Sequence, residues 1–214
     1  ASDGWSTSLV KFRSNGQIEE TRDDLQYPTK YTYDAYNRLS RVTDDRDGAG
    51  SADNFDEYGY DANGNTTSVR AVLYDDRSPL LTPAKDVTTF FYFDEINRLI
   101  EDQSPPVNGS ALHRYFKYDS RSQLIDSTDR KGQVRHADYD LLGRVTRQRA
   151  YVDMREINAS TGYVTTVTKT VASRAVYDKN SNVLETIDAT GNRTYMRHDM
   201  AGRWIQTQHA DGGS

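Results

Sequence analysis

The sequence contains no cysteine, which excludes disulfide staples, thiolate catalysis and cysteine-based zinc sites. Apolar residues are scarce at 35%, and the mean hydropathy is -0.86. No apolar run approaches the length of a membrane span, so direct membrane insertion is not expected. No signal peptide is visible, and helical periodicity is nearly absent. Positive charge is also short. Lysine and arginine total 27 against 32 acids, a net charge of -5, which argues against a nucleic-acid or anionic-membrane partner. The chain starts at Ala1 without methionine and ends in Asp211-Gly-Gly-Ser214, so it reads as a segment of something longer.

Tyrosine is abundant instead, at 15 residues. Each ring buries a large apolar body while its hydroxyl finds a partner at a wet edge, which makes a folded chain possible at this low apolar content. The tyrosines are also periodic. Tyr33-Asp34 recurs as Tyr60-Asp61, Phe93-Asp94, Tyr118-Asp119, Tyr139-Asp140, Tyr177-Asp178 and His198-Asp199, after a degenerate Phe12-Arg13. The second position therefore falls at 13, 34, 61, 94, 119, 140, 178 and 199, giving spacings of 21, 27, 33, 25, 21, 38 and 21. A unit of 21 residues is the base and the excess is insertion.

Each residue type within a unit has a physical task. Aromatic pairs at i and i+2, such as Tyr31/Tyr33 and Tyr58/Tyr60, share one face of a strand. The aspartate opens a turn by accepting backbone N–H groups further on. Three residues later stand Gly16, Asn37, Gly64, Asn97, Gly143 and Gly202, residue types that tolerate a left-handed backbone. Ser122 and Ser181 break that preference and are expected to carry strain or a different loop. An arginine often follows, then an apolar residue such as Leu39 or Val145, so each unit is a β-hairpin. Asp129-Arg-Lys-Gly132 and Asp188-Ala-Thr-Gly191 supply matching turns between units. The insertions include Ser104–Asn108, with Pro105 and Pro106, and a β-branched stretch within Tyr151–Arg174 that lengthens a hairpin. The fold class predicted is all-β: tandem antiparallel hairpins in one continuous, twisted, spiralling sheet, an open or partial shell. Residues 1–207 form the array of about eight units, and 208–214 form a flexible tail compatible with a cloning remnant.

These residues resemble the Rhs/YD repeat, whose pattern YxYDxxGRL is matched by Tyr31-Thr-Tyr-Asp34-Ala-Tyr-Asn-Arg38-Leu39 and Phe91-Tyr-Phe-Asp94-Glu-Ile-Asn-Arg98-Leu99. Tyr139-Asp140-Leu-Leu-Gly143-Arg144-Val145 matches it again, and the likeness spans roughly residues 5 to 205. The resemblance implies a sheet spiralling into a hollow shell. In bacterial insecticidal and contact-dependent toxins such a shell encloses a toxic C-terminal domain; a related barrel occurs in teneurins, and other members are wall-associated or surface proteins. It implies a secreted or cell-surface bacterial protein whose partners are adjacent repeats and an enclosed domain of the same polypeptide. The chain carries neither the family's DPxGW-like core motif nor the acidic pair of its self-cleaving protease.

No enzymatic site emerges. His113, His136, His198 and His209 form no HExxH arrangement, and His198 occupies the repeat's aromatic position. Seven recurring aspartates suit turns better than a catalytic pair, since recurring residues serve the recurring fold. No cofactor is implied, with one candidate exception. Asp45, Asp47, Asp53 and Asp56 lie in an acidic, glycine-containing stretch that partly fits a calcium loop; a merely solvated loop is the alternative. Cell-surface glycans are a second possible partner. The rings outside the repeat register, Trp5, Tyr36, Tyr74, Tyr151 and Tyr163, are the ones free to stack on sugars. Open sheet edges make edge-to-edge self-association a further expectation.

Overall fold

The computed structural model describes residues 8–44, 53–74, 83–107, 109–157 and 159–210. Among these residues every regular element is a strand, and no helix is long and apolar enough to cross a membrane. The chain divides into two compact units, Ala1–Leu112 and His113–Ser214, a division that no shift in composition announces. The first holds β1 (Leu9–Phe12), β2 (Ile18–Arg22), β3 (Pro28–Tyr33), β4 (Leu39–Asp44), β5 (Asn54–Tyr60), β6 (Thr66–Tyr74), β7 (Pro83–Phe93) and β8 (Leu99–Val107). The chain then runs through β9 (Ser110–Tyr118) into the second unit. That unit holds β10 (Leu124–Thr128), β11 (Val134–Tyr139), β12 (Val145–Ile157), β13 (Val164–Tyr177), β14 (Val183–Ile187), β15 (Arg193–His198) and β16 (Trp204–Ala210).

The 16 strands form one unclosed antiparallel sheet whose strand order follows the chain order without a crossover. Register explains why the hairpins close as they do. In β3/β4 Thr32 faces Arg41, yet Tyr33 faces Leu39, so one residue is gained across the turn. The same slip recurs in β5/β6, β11/β12, β13/β14 and β15/β16. It is the bulge that lets a right-handed turn join two twisted strands. Alternation follows the pleat: in β3, Tyr31 and Tyr33 are half-buried while Lys30 and Thr32 are exposed.

The sheet has no second layer among the described residues. Only Pro28, Val72 and Asp102 are fully buried there. Long charged side chains take the place of a second layer in the first unit. Arg41, Glu57, Arg70 and Asp86 form a cross-strand ladder over β4–β7, with contacts of 3.3, 3.1 and 2.8 Å. The Arg41 guanidinium stacks 3.5 Å from the Phe55 ring centre, so an ion-pair ladder shields an aromatic ring from water.

Across the Ser104–Asn108 insertion β8 continues through Pro105 and Pro106 to Val107, since the fixed φ of proline suits an extended chain. One sequence expectation is corrected: the strand array does not stop at 207. Thr194 pairs with His209 and Arg193 with Ala210, so β16 carries three residues assigned to the tail.

Candidate functional site

The repeating unit of chemistry is the hairpin turn and what its side chains reach. At Asp34, Oδ1 accepts the backbone N–H groups of Tyr36 and Arg38, each at 2.9 Å. The Asn37 N–H donates to the Asp34 carbonyl at 3.0 Å, and the Asp34 N–H to that of Arg38 at 2.8 Å. The same set recurs at Asp61, Asp94, Asp119, Asp140, Asp178 and Asp199. The fourth residue must sit at positive φ. Gly64 does so at 92°, Asn37 at 63°, and Ser122 and Ser181 at 64° and 69°. The serines thus adopt the same loop with the strain expected of a side chain there.

Turns of identical geometry close the opposite ends of strands at Asp129 and Asp188, as the sequence indicates. A third, at Asp23–Tyr27, escaped the sequence pattern because Gln26 occupies the left-handed position at 68°. Its signal was the aspartate alone.

Every one of these carboxylates is satisfied, and most are made more acidic. The Arg144 side chain and backbone N–H hold the Asp140 carboxyl below the usual carboxylate range against the opposing effect of desolvation. The Asn65 side-chain amide does the same for Asp61. At Asp188 the Thr190 hydroxyl, helped by the Asn192 amide, lowers the value to about 2. A general acid needs its pKa raised toward the working pH, so these groups are tuned away from proton donation.

What the repeats do instead is clasp one another. Arg38 Nε donates to Asp34 Oδ2 in its own turn at 2.7 Å, while Nη1 reaches the carbonyl of Asp61 in the next repeat at 3.0 Å. The guanidinium lies 4.5 Å over the Tyr60 ring, and the Tyr60 hydroxyl donates back to the Leu39 carbonyl at 2.7 Å. Arg144 repeats the arrangement on Asp140, the Asp178 carbonyl and the Tyr177 ring, at 2.7, 2.7 and 4.6 Å. Tyr177 returns a bond to the Val145 carbonyl at 2.8 Å. Tyr33 and Tyr139 make the same backward bond, to Ile18 and Leu124. In the degenerate first repeat Gln17 reaches forward instead, to the Asn37 carbonyl at 2.8 Å. Arg203, in the last repeat, folds back on Asp199 with its side chain 81% exposed, against 20% for Arg144.

One polar cluster was invisible in the sequence. His136 lies 2.5 Å from Asp126 and 3.1 Å from Asp138, and Arg149 pairs with Asp138 at 2.8 Å. These residues come from β10, β11 and β12 and meet only because the register sets Asp126 opposite His136 and His136 opposite Arg149. Asp126, His136 and Arg149 border a cleft of about 420 Å³ that Tyr139 and Leu124 also line. Of the other histidines, His113 stacks on Tyr115 and His209 contacts the Thr194 hydroxyl. His198 is half-buried, with Nδ1 finding no hydrogen-bond partner among the described residues.

The remaining candidates are scattered. Asp45, Asp47 and Trp5 lie outside the described residues. Asp56 sits within β5 opposite Val42, and Asp53 immediately precedes that strand. Among the described residues no group of three or more potential ligands could hold a metal. Tyr36 stands at a turn tip, 80% exposed, with the Arg38 guanidinium 5.1 Å from its ring centre. Tyr74 ends β6, at the end of the strand away from the Asp61 turn. Tyr151 lies on β12, and Tyr163, 75% exposed, immediately precedes β13.

Solved structures with a similar chain path include TcdB2-TccC3 without its hypervariable C-terminal region, at 16% identity and a TM-score of 0.48 over 94% of this chain and 11% of that one. TcdB2-TccC3 itself gives 15% and 0.49 over 95% and 11%. The Photorhabdus luminescens Tc holotoxin pore gives 9% and 0.35 over 96% and 14%. The chain thus spans about a tenth of the first two structures' length. No curated protein matches it. A family model described as Teneurin YD-shell matches residues 6–155, the stretch that contains the degenerate first repeat, the Asp34, Asp61, Asp94, Asp119 and Asp140 turns and the Arg38 clasp. The chain belongs to the teneurin YD-shell family.

Proposed function

We propose that this chain is a non-enzymatic wall section of a larger bacterial shell protein, secreted or displayed at the cell surface, and that the shell encloses or presents another domain of the same polypeptide. The observation that carries the reading is a single-layer sheet clasped repeat to repeat through Arg38–Asp61/Tyr60 and Arg144–Asp178/Tyr177. Such an array resists deformation along the chain while its faces stay free for a neighbour. Its recurring aspartates are committed to turns, which supports architecture over catalysis. The test is protease protection of the parent polypeptide, intact and with residues 28–74 deleted. The shell reading expects the downstream domain to resist cleavage in the intact protein and to be cut once the two hairpins are gone; equal protection in both would overturn it.

A second reading, glycan recognition, is favoured by the exposure of Tyr36 and Tyr163. A ring backed by a guanidinium, as Tyr36 is, stays presented to solvent at low entropic cost. A glycan-array screen tests it: reproducible binding lost in both Tyr36→Ala and Tyr163→Ala supports it, and no binding by the unaltered chain rejects it.

A further inference from the structure

The β12–β13 hairpin outruns its neighbours. The ladder between its strands is continuous from Arg147↔Arg174 to Ile157↔Val164. On the outer side of β12, pairing with β11 stops at Arg135↔Ala150; on that of β13, pairing with β14 stops at Arg174↔Ile187. Residues 151–157 and 164–173 therefore form a two-stranded ribbon whose outer edges pair with no other strand among the described residues. Such a ribbon is marginal alone in water. It also displays Tyr151, Met154, Ile157 and Val164, all exposed apolar side chains.

The β12 edge reads Tyr151-Val-Asp-Met-Arg-Glu-Ile157. Exposed edges are commonly blunted by charged side chains, lysine above all. Here the two central charges are opposite and flank Met154 symmetrically. Asp153 accepts the Thr168 hydroxyl at 2.6 Å, and Glu156 is paired with Lys169. Arg155 is exposed and makes no ion pair among the described residues.

We propose that this edge is a homotypic docking surface, on which residues 151–157 of a second copy add antiparallel about a two-fold axis through Met154. The sequence favours that register over its neighbours. Centred on Met154, Asp153 faces Arg155 of the second copy in both directions, and Tyr151 faces its Ile157. All these pairs keep their own face of the ribbon, as the pleat requires. Centring on residue 153 or 155 would set aspartate on aspartate or arginine on arginine. The contact buries little and is accordingly a weak, reversible dimer. It is independent of whether the shell encloses a domain.

Sedimentation velocity of the chain over a concentration series tests the proposal. The unaltered chain dimerises, while Asp153→Arg and Arg155→Asp each weaken association by roughly tenfold or more, since both cross-copy pairs become repulsive. An equimolar mixture of the two variants associates again, because each copy supplies the charge the other needs. The double variant Asp153→Arg/Arg155→Asp also regains homodimers. Circular dichroism checks that the variants keep the strand signal. A chain that stays monomeric at its solubility limit, a dimer indifferent to either single change, or a mixture that stays monomeric would each overturn the proposal.

Discussion

The two rows of turns in this sheet share a backbone and differ in what they reach. Asp140–Arg144 and Asp188–Asn192 close with the same pair of carboxylate-accepted N–H bonds and the same left-handed fourth residue. The fifth residue separates them. Asn192 turns back on Asp188 and Thr190 within its own turn, whereas Arg144 continues past Asp140 to the Asp178 carbonyl and the Tyr177 ring of the next repeat. Turn formation is thus a local property of Asp-x-x-Gly. Cohesion between repeats is a separate property, placed within one row at Arg38 and Arg144 with the tyrosines they cover, while Asn65 and Asn182 in that row turn back on their own aspartates as Asn192 does.

The largest perturbation treats both rows alike. Asp140 and Asp188 are both more acidic in the folded chain than ordinary aspartate, by hydrogen bonds from Arg144 in one and from Thr190 and Asn192 in the other. A carboxylate of this kind contributes stability above its unfolded pKa and loses it as pH falls through the folded value. Melting temperature followed by circular dichroism should therefore fall between about pH 4 and pH 2, the upper bound being ordinary aspartate and the lower the Asp188 value of about 2. Asp188→Asn should flatten part of that dependence. A melting temperature constant over this window would show that the turn carboxylates do not differ between folded and unfolded chains.

Next in size come changes that separate the rows. Arg144→Ala removes charge-assisted bonds to two repeats and should lower unfolding free energy by about 2 kcal/mol in urea titrations. Gln133→Ala, at the equivalent place in the Asp129 turn, should change it by less than about 0.5 kcal/mol. Equal losses would erase the distinction. Tyr60→Phe deletes only the hydroxyl on the Leu39 carbonyl and should cost about 1 kcal/mol. The smallest change acts on the shared backbone. Ser181→Gly should raise stability by about 0.5 kcal/mol, because glycine adopts φ 69° without strain; a loss would mean that the 3.3 Å contact of Ser181 with Arg144 outweighs it.

The unevenness between the rows also marks what could be read beforehand. The hairpins, the left-handed residues and the Asp129 and Asp188 turns were legible because each is encoded within five consecutive residues. The arginine's pairing with aspartate and its stacking on a tyrosine could be anticipated from composition of the motif. The backward bond of Tyr60 to Leu39 spans 21 residues and follows only from the register between hairpins. The His136 cluster was hidden for the same reason, since Asp126, His136 and Arg149 are unremarkable until three strands are aligned. The Asp23 turn was hidden for the opposite one: its backbone is regular, but Gln26 is a residue type that rarely advertises positive φ.

The central claim is that the arginine clasp couples consecutive repeats. Amide hydrogen exchange in Arg144→Gln, compared with the unaltered chain, tests it most directly. The clasp requires faster exchange at the N–H groups of Asp178, Ser181 and Asn182 in the following turn, as well as at Asp140 and Gly143 in its own. Acceleration confined to the Asp140–Arg144 turn would contradict it.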